Sequence, residues 1–249
     1  MSIVGIIPAR LASSRLPRKV LLDRTGKPLI QHVWEAARHA RTLDRLILAV
    51  DTPEVADACH RFGAEVVMTR IDHTSGTSRL AEAAHALSLS ADDIVVNVQG
   101  DEPEMDAGAI DAAVAALHAA SPSVPMSTIG SPFAADEDPN NPAIVKVVTD
   151  RTGRAMYFSR SPIPHHRDGG TREAGLLRHV GLYIYRRPFL DVYQNMAPTP
   201  LERTEVLEQL RVLEHGYAIV VAVHPCSSQG IDTPEQYQEF VDRHATRRN

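Results

Sequence analysis

Short apolar runs alternate with helix-periodic segments through the first half of the chain, and this alternation limits the fold more than any other feature. Ile3–Pro8, Leu46–Val50, Glu65–Met68 and Ile94–Val98 are strand-like. Between them, Leu29/Ile30, Val33/Trp34 and Ala37 recur at helical spacing, a second helix opens at Asp51-Thr52-Pro53-Glu54 and runs to about Phe62-Gly63, and a third spans Ser78–Leu87. An alanine-rich helix follows at Asp106–Ala119. Such succession predicts an α/β fold, a mostly parallel sheet with helices on both faces. After Ser121 the pattern changes. Residues 121–142 are rich in Pro, Ser and Asn, and Ile144–Thr149, Ala155–Ser159 and Val180–Tyr185 read as strands with little helix between them. They predict an antiparallel layer inserted at about 121–200 into a single domain of 1–249. Glu202–Glu214 is predicted as one helix, Ala218–Val223 as a returning strand and Pro234–Arg243 as the closing helix.

Composition narrows the function. With 43% hydrophobic and 23% charged residues, the chain is ordinary for a globular protein, and no apolar run approaches the roughly 20 residues of a membrane helix. The first residues carry no basic leader or small-residue cleavage site, so the expected address is the cytoplasm. Cys59 and Cys226 lie far apart with no Cys-x-x-Cys spacing, which fits neither a disulfide scaffold nor a zinc site. The net charge is −5, yet residues 1–27 hold Arg10, Arg15, Arg18, Lys19, Arg24 and Lys27 against the single acid Asp23. A concentrated cationic loop in an acidic chain points to a small anionic ligand rather than to nucleic acid.

Three loops carry candidate chemistry, because open parallel sheets bind ligands beyond the carboxyl ends of their strands. Ala9-Arg10-Leu11-Ala12-Ser13-Ser14-Arg15-Leu16-Pro17-Arg18-Lys19 is neither a Walker loop nor a dinucleotide turn. Its small residues let the backbone approach phosphates, and its cations supply countercharge. Gln99-Gly100-Asp101-Glu102 follows the most apolar strand; Asp101 there is either a turn former or a metal ligand. Gly230-Ile231-Asp232-Thr233-Pro234-Glu235 repeats the Asp-Thr-Pro-Glu of residues 51–54, so the local chemistry of both copies reads as a helix start, and Asp51 is assigned as a cap. No Gly-x-Ser-x-Gly elbow supports a Ser-His-Asp hydrolase. His165-His166 lacks further metal-ligand spacing and reads as a loop.

These motifs carry a family resemblance. Ile7-Pro8-Ala9-Arg10 with Ser14-Arg15-Leu16-Pro17 and Lys19, Asp72-His73 with Ser75-Gly76-Thr77 and Arg79, Val96–Pro103, Arg178-His179-Val180-Gly181 and Leu207-Glu208-Gln209-Leu210-Arg211 stand in the order and spacing of one group. The chain resembles the 3-deoxy-manno-octulosonate (Kdo) cytidylyltransferases, or CMP-Kdo synthetases, of lipopolysaccharide biosynthesis. The resemblance implies a Rossmann-like nucleotidyltransferase with an antiparallel dimerisation region, a homodimer, and transfer of CMP from CTP to the anomeric hydroxyl of Kdo with release of pyrophosphate. It implies that Arg10, Arg15 and Lys19 hold the triphosphate, with Ala9, Ser14, Ser75, Gly76 and Thr77 near the nucleotide. It implies that Asp101 and Asp232 bind Mg²⁺, and that Gln99, Arg160, His179, Tyr183, Glu208 and Gln209 meet the sugar acid, whose carboxylate Arg160 or His179 would neutralise. Read without the family, Arg160 and His179 are edge-strand polar residues and Glu208 and Gln209 a solvated helix face. Three departures stand out: Arg18 replaces a glycine of the phosphate loop, Ser78 replaces an acid, and Cys226–Gln229 is irregular. An 8-amino Kdo-like or sialic-type acid, or a non-catalytic nucleotide-binding module, are the alternatives.

Overall fold

Ile3–Ala9 (β1) is the strand around which the parallel sheet forms. The computed structural model describes residues 1–73, 75–167 and 175–248, with residues 247 and 248 described through their backbone alone. After a 3-10 turn at Lys19–Leu21, the remaining strands and α-helices are α1 (Leu29–Ala37), β2 (Arg45–Val50), α2 (Pro53–Arg61), β3 (Glu65–Met68), α3 (Gly76–Ala86), β4 (Ile94–Asn97), α4 (Ala107–Ala119), β5 (Met126–Pro132), β6 (Lys146–Thr149), β7 (Ala155–Ser159), β8 (Leu177–Arg186), α5 (Arg187–Gln194), α6 (Pro200–Glu205), α7 (Gln209–Glu214), β9 (Ile219–Val223) and α8 (Pro234–Arg248). The chain divides into two compact units, Met1–Ala107 with Ser227–Asn249, and Gly108–Cys226.

In the first unit β1 pairs in parallel with β2 on one side and β4 on the other, and β2 pairs with β3. Val4, Ile6 and Ile7 of β1, Ile47–Val50 of β2 and Val95 and Val96 of β4 are fully enclosed, which explains their unbroken apolar runs: both faces of these strands are covered. The connections from β1 run outward through β2 to β3 and then return across β1 to β4, so the strand order reverses between β1 and β4. In open sheets of this kind, ligands bind beyond the carboxyl ends of the strands at such a reversal, here where the loops after β1 and β4 leave the sheet. At Gly100, just beyond β4, a Cβ would lie 2.5 Å from the Pro8 carbonyl oxygen. Only glycine lets the two loops approach so closely.

In the second unit β5 pairs antiparallel with β8 and parallel with β9, while β6 pairs antiparallel with β7 and β8. The predicted strands there form within a residue or three of their expected bounds, and β5 is new. Its Met-Ser-Thr-Ile-Gly-Ser sequence looks like a loop, yet every residue from Met126 to Ser131 is buried because the strand is paired on both edges. Its hydroxyls are satisfied: Ser127 donates to Ala113 O at 2.7 Å and Thr128 to Leu182 O at 2.7 Å. The predicted single helix over 202–214 is also corrected. It forms as α6 and α7, broken where Val206 takes φ 54°, and Arg160 donates to the Glu205 and Val206 carbonyls at that break, at 2.7 and 3.4 Å. Helix α5 is a further element absent from the sequence reading; it buries Arg187, Phe189, Leu190 and Tyr193.

One histidine, His32, gives the fold a pH signature. Burial, aided by the neighbouring charge of His244, pushes His32 down to about 4, and Thr25 Oγ1 lies 2.7 Å from its Nε2. Its folded value thus lies below the unfolded one near 6.5. The stability this neutral ring contributes is complete above about pH 6.5 and falls as the pH drops toward 4, because the unfolded chain takes up the proton first. Thermal melts of the wild type should decline through that window, and His32→Gln should flatten the decline; parallel curves for the two proteins would contradict it.

Candidate active site

The first-unit loops converge through apolar anchors placed beside their charges. Leu16, three residues before Lys19, shares a buried cluster with Ile231, the neighbour of Asp232, and with Leu29, Tyr237 and Phe240. The Ile231 N–H donates to the Asp101 carbonyl at 2.8 Å, which ties the two acidic loops through their backbones. The charged side chains then meet. Lys19 Nζ lies 2.8 Å from Asp101 Oδ2 and 3.0 Å from Asp232 Oδ1, and the lysine side chain is only 12% exposed. Arg15 Nη2 lies 2.9 Å from the same Asp232 oxygen. Two carboxylates 131 residues apart in sequence therefore share one ammonium group.

That arrangement has the donor set of a hard divalent cation. Mg²⁺ takes one or two protein carboxylates together with waters and substrate phosphates, and the ammonium already stands as a positive charge between the two acids. Among the described residues no three His, Cys, Asp or Glu side chains converge on a metal position, so further ligands would come from substrate and water.

The duplicated Asp-Thr-Pro-Glu resolves into one local device used twice. Thr52 caps α2, its Oγ1 accepting the Val55 N–H at 3.4 Å, and Thr233 caps α8, its Oγ1 accepting the Gln236 N–H at 3.3 Å. Each aspartate is left to point elsewhere. The assignment of Asp51 as a cap is thus corrected: its carboxylate, 2% exposed, accepts the Leu11 N–H at 3.0 Å and faces Arg79 at 3.4 Å. Sequence reasoning missed this pair, because the tetrapeptide alone reads as a helix start in both copies.

Of the expected nucleotide-binding residues, Ala9 is buried at the end of β1, while Arg10 and Ser14 are exposed in the loop. Ser75 caps α3, accepting the Ser78 N–H at 3.2 Å; Gly76 and buried Thr77 form the first turn. Ser78, in place of an acid, donates to the Ser75 carbonyl at 2.9 Å and lies 3.0 Å from His73 Nδ1. Gln99 is half-buried after β4. Arg18 occupies the left-handed region at φ 55°, so the loop keeps a glycine-like conformation and this side chain carries the strain. Its guanidinium rests on Glu54. Arg18→Gly and Arg18→Ala both lose that contact, so their difference reports the backbone alone: the glycine variant should melt ~2–4 °C above the alanine variant. Equal midpoints would show the backbone to be unstrained.

The sugar-acid candidates, apart from Gln99, lie in the second unit. Tyr183 donates its hydroxyl to Gln209 Oε1 at 3.1 Å, and the Tyr183 and His179 rings are 5.4 Å apart. Gln209 is buried and its Nε2 has no partner among the described residues. Burial pushes His179 down to about 3, and its Nε2 lies 2.9 Å from Thr128 Oγ1, so the imidazole is neutral at ordinary pH. The Arg160 guanidinium also donates to the Pro142 carbonyl at 3.0 Å. Glu208 is exposed, with its Oε2 3.4 Å from the Tyr193 hydroxyl. Residues 168–174 of the loop after His165-His166 lie outside the described residues.

The sequence profile of the cytidylyltransferase family matches residues 4–219. A 3-deoxy-manno-octulosonate cytidylyltransferase of Syntrophobacter fumaroxidans is 51% identical over 241 residues, covering 97% of this chain and 96% of that protein. This chain belongs to the cytidylyltransferase family. Within it, the chain falls among the 3-deoxy-manno-octulosonate cytidylyltransferases, for one from Herminiimonas arsenicoxydans is also 50% identical over 243 residues, 94% of this chain and 96% of that one. A solved CMP:2-keto-3-deoxy-manno-octonic acid synthetase, complexed with CTP, superposes with a TM-score of 0.91 at 39% identity over 99% of this chain and 100% of its own. The Rossmann-like, mostly parallel nucleotidyltransferase fold expected from the sequence is the one this cytidylyltransferase has. No helix among the described residues is long and apolar enough to cross a membrane.

Proposed function

We propose that this cytidylyltransferase transfers CMP from CTP to the anomeric hydroxyl of Kdo, forming CMP-Kdo for lipopolysaccharide biosynthesis. The new bond joins the anomeric oxygen to the α-phosphorus; the bond from the α-phosphorus to the bridging oxygen breaks, pyrophosphate leaves with the electron pair, and the hydroxyl proton passes to water. The observation that carries the reading is Lys19 held between Asp101 and Asp232 with Arg15 alongside. A triphosphate needs cations beside it, and Arg10, Arg15 and Lys19 would provide them without a covalent intermediate. Mg²⁺ held by Asp101 and Asp232 would neutralise phosphate charge and polarise the α-phosphate. Ala9, Ser14, Ser75, Gly76 and Thr77 would border the nucleotide. Gln99, Arg160, His179, Tyr183, Glu208 and Gln209 would hold the sugar acid, Arg160 as its cation and His179 as a neutral hydrogen-bonding group. The unpartnered amide of Gln209 supports this, since a buried donor without an acceptor is costly unless a ligand supplies one. The reaction's nucleotide substrate supports a cytoplasmic address, and the family resemblance supports a homodimer.

The test is pyrophosphate release with Mg²⁺, each of the four nucleoside triphosphates, and Kdo, 8-amino Kdo and a sialic acid in turn. CTP with Kdo should give the highest kcat/KM. Turnover with another acid alone would replace the substrate and keep the reaction, and CTP binding without turnover on any acid would make the protein a nucleotide-binding module.

A further inference from the structure

The first Asp-Thr-Pro-Glu copy, residues 51–54, has a task beyond starting a helix. Thr52 alone caps α2, so the Asp51 carboxylate is not needed there. It is nevertheless enclosed, and burying a carboxylate is costly unless its partners repay it. Those partners are specific. One carboxylate oxygen accepts the N–H of Leu11, the residue after Arg10, and the other faces the Arg79 guanidinium. Arg79, itself 3% exposed, is fixed in turn by Thr69 Oγ1 at 2.6 Å and the Arg70 carbonyl at 3.2 Å, and Thr69 is anchored on the Val50 carbonyl at 2.9 Å. A chain of bonds thus runs from the ends of β2 and β3 to the backbone of the cationic loop.

The loop needs such an anchor. Arg15, Arg18 and Lys19 each have an acidic partner toward its far end, whereas Ala12 and Ser14 are exposed and offer little packing. Asp232 grips its far end through Arg15 and Lys19; Asp51 grips its near end at Leu11. We propose that Asp51, oriented by Arg79, is a positioning residue that holds the loop around Leu11 in the conformation that receives the triphosphate. This rests on the phosphate-loop reading above.

The test compares two double variants. Asp51→Asn/Arg79→Met leaves no unpaired buried charge but keeps a side-chain oxygen for the Leu11 N–H, whereas Asp51→Ala/Arg79→Met removes that oxygen. The expected result is a CTP KM at least tenfold higher in the alanine variant than in the asparagine variant, with matching melting midpoints and a sugar-acid KM changed less than twofold. Equal CTP KM values, or a loss that tracks the melting midpoint in both, would overturn it. Should either variant not fold, hydrogen exchange of the wild-type protein without nucleotide decides: the Leu11 amide is expected to exchange at least tenfold more slowly than those of Ala12, Ser13 and Ser14, and equal exchange across the four would overturn the proposal. That exchange measurement does not depend on turnover, so failure of the pyrophosphate assay would leave it readable and would count against the catalytic reading alone.

Discussion

Asp101→Asn lowers pyrophosphate release by about 10³-fold or more while the melting midpoint stays within a few degrees of wild type; this is the largest effect expected of any single substitution here. The estimate follows from the several kcal/mol that a divalent ion contributes to a phosphoryl transition state, at about 1.4 kcal/mol for each tenfold in rate. The fold tolerates the change because Lys19 keeps its contact with Asp232 and the neutral amide still accepts a hydrogen bond. Asp232→Asn should lose a comparable amount, and the double variant little more, since two ligands of one ion act as a unit. Activity above a tenth of wild type in either single variant would remove the metal role. Lys19→Met should instead act mainly through the KM for CTP, because its ammonium would serve the phosphates.

The largest effect on stability belongs to Glu202 in α6. Its carboxylate, 10% exposed, accepts from Arg211 Nε at 2.8 Å and from the Thr199 N–H at 3.2 Å. Burial would raise its pKa, but the hydrogen bonds from Arg211 and Thr199 hold it below the ordinary carboxylate value. Glu202→Ala strands the Arg211 charge, which is 17% exposed, and is expected to cost ~3 kcal/mol, or roughly 6–12 °C in melting midpoint for a chain of this size. Glu202→Met/Arg211→Leu should recover most of that loss, because removing both partners leaves no charge unpaired. With a folded pKa below the unfolded one, the contribution is present above about pH 4.5 and is lost as the pH falls through the folded value. A shift below 2 °C for Glu202→Ala would show the pair to be idle.

The parts of the fold that sequence made legible are those where packing and local propensity agree. β1, β2 and β4 are apolar because both faces are covered, and the 3.6-residue spacing of α1 reflects its buried Leu29, Ile30, Val33 and Trp34. β5 was hidden because its burial comes from pairing on both edges, which lets serine, threonine and glycine stand where a strand signal expects bulk. The break at Val206 was hidden because 202–214 has an uninterrupted apolar periodicity, and only the bonds from Arg160 to the carbonyls at the break reveal the turn. At the candidate site the acids were visible as residues but not as partners. Nothing in the local tetrapeptide distinguishes Asp51 from Asp232, since both precede the same capping threonine; the family resemblance singles out Asp232, and the fold sends Asp51 to Leu11 and Arg79.

The most direct measurement is a titration of Mn²⁺, read by electron paramagnetic resonance, into the protein with CTP and no sugar acid. The wild type should hold an immobilised Mn²⁺·CTP complex, and Asp101→Asn/Asp232→Asn should weaken it at least tenfold while still binding free CTP through the basic loop. An undiminished Mn²⁺·CTP complex in the double variant would contradict a shared ion at these two carboxylates.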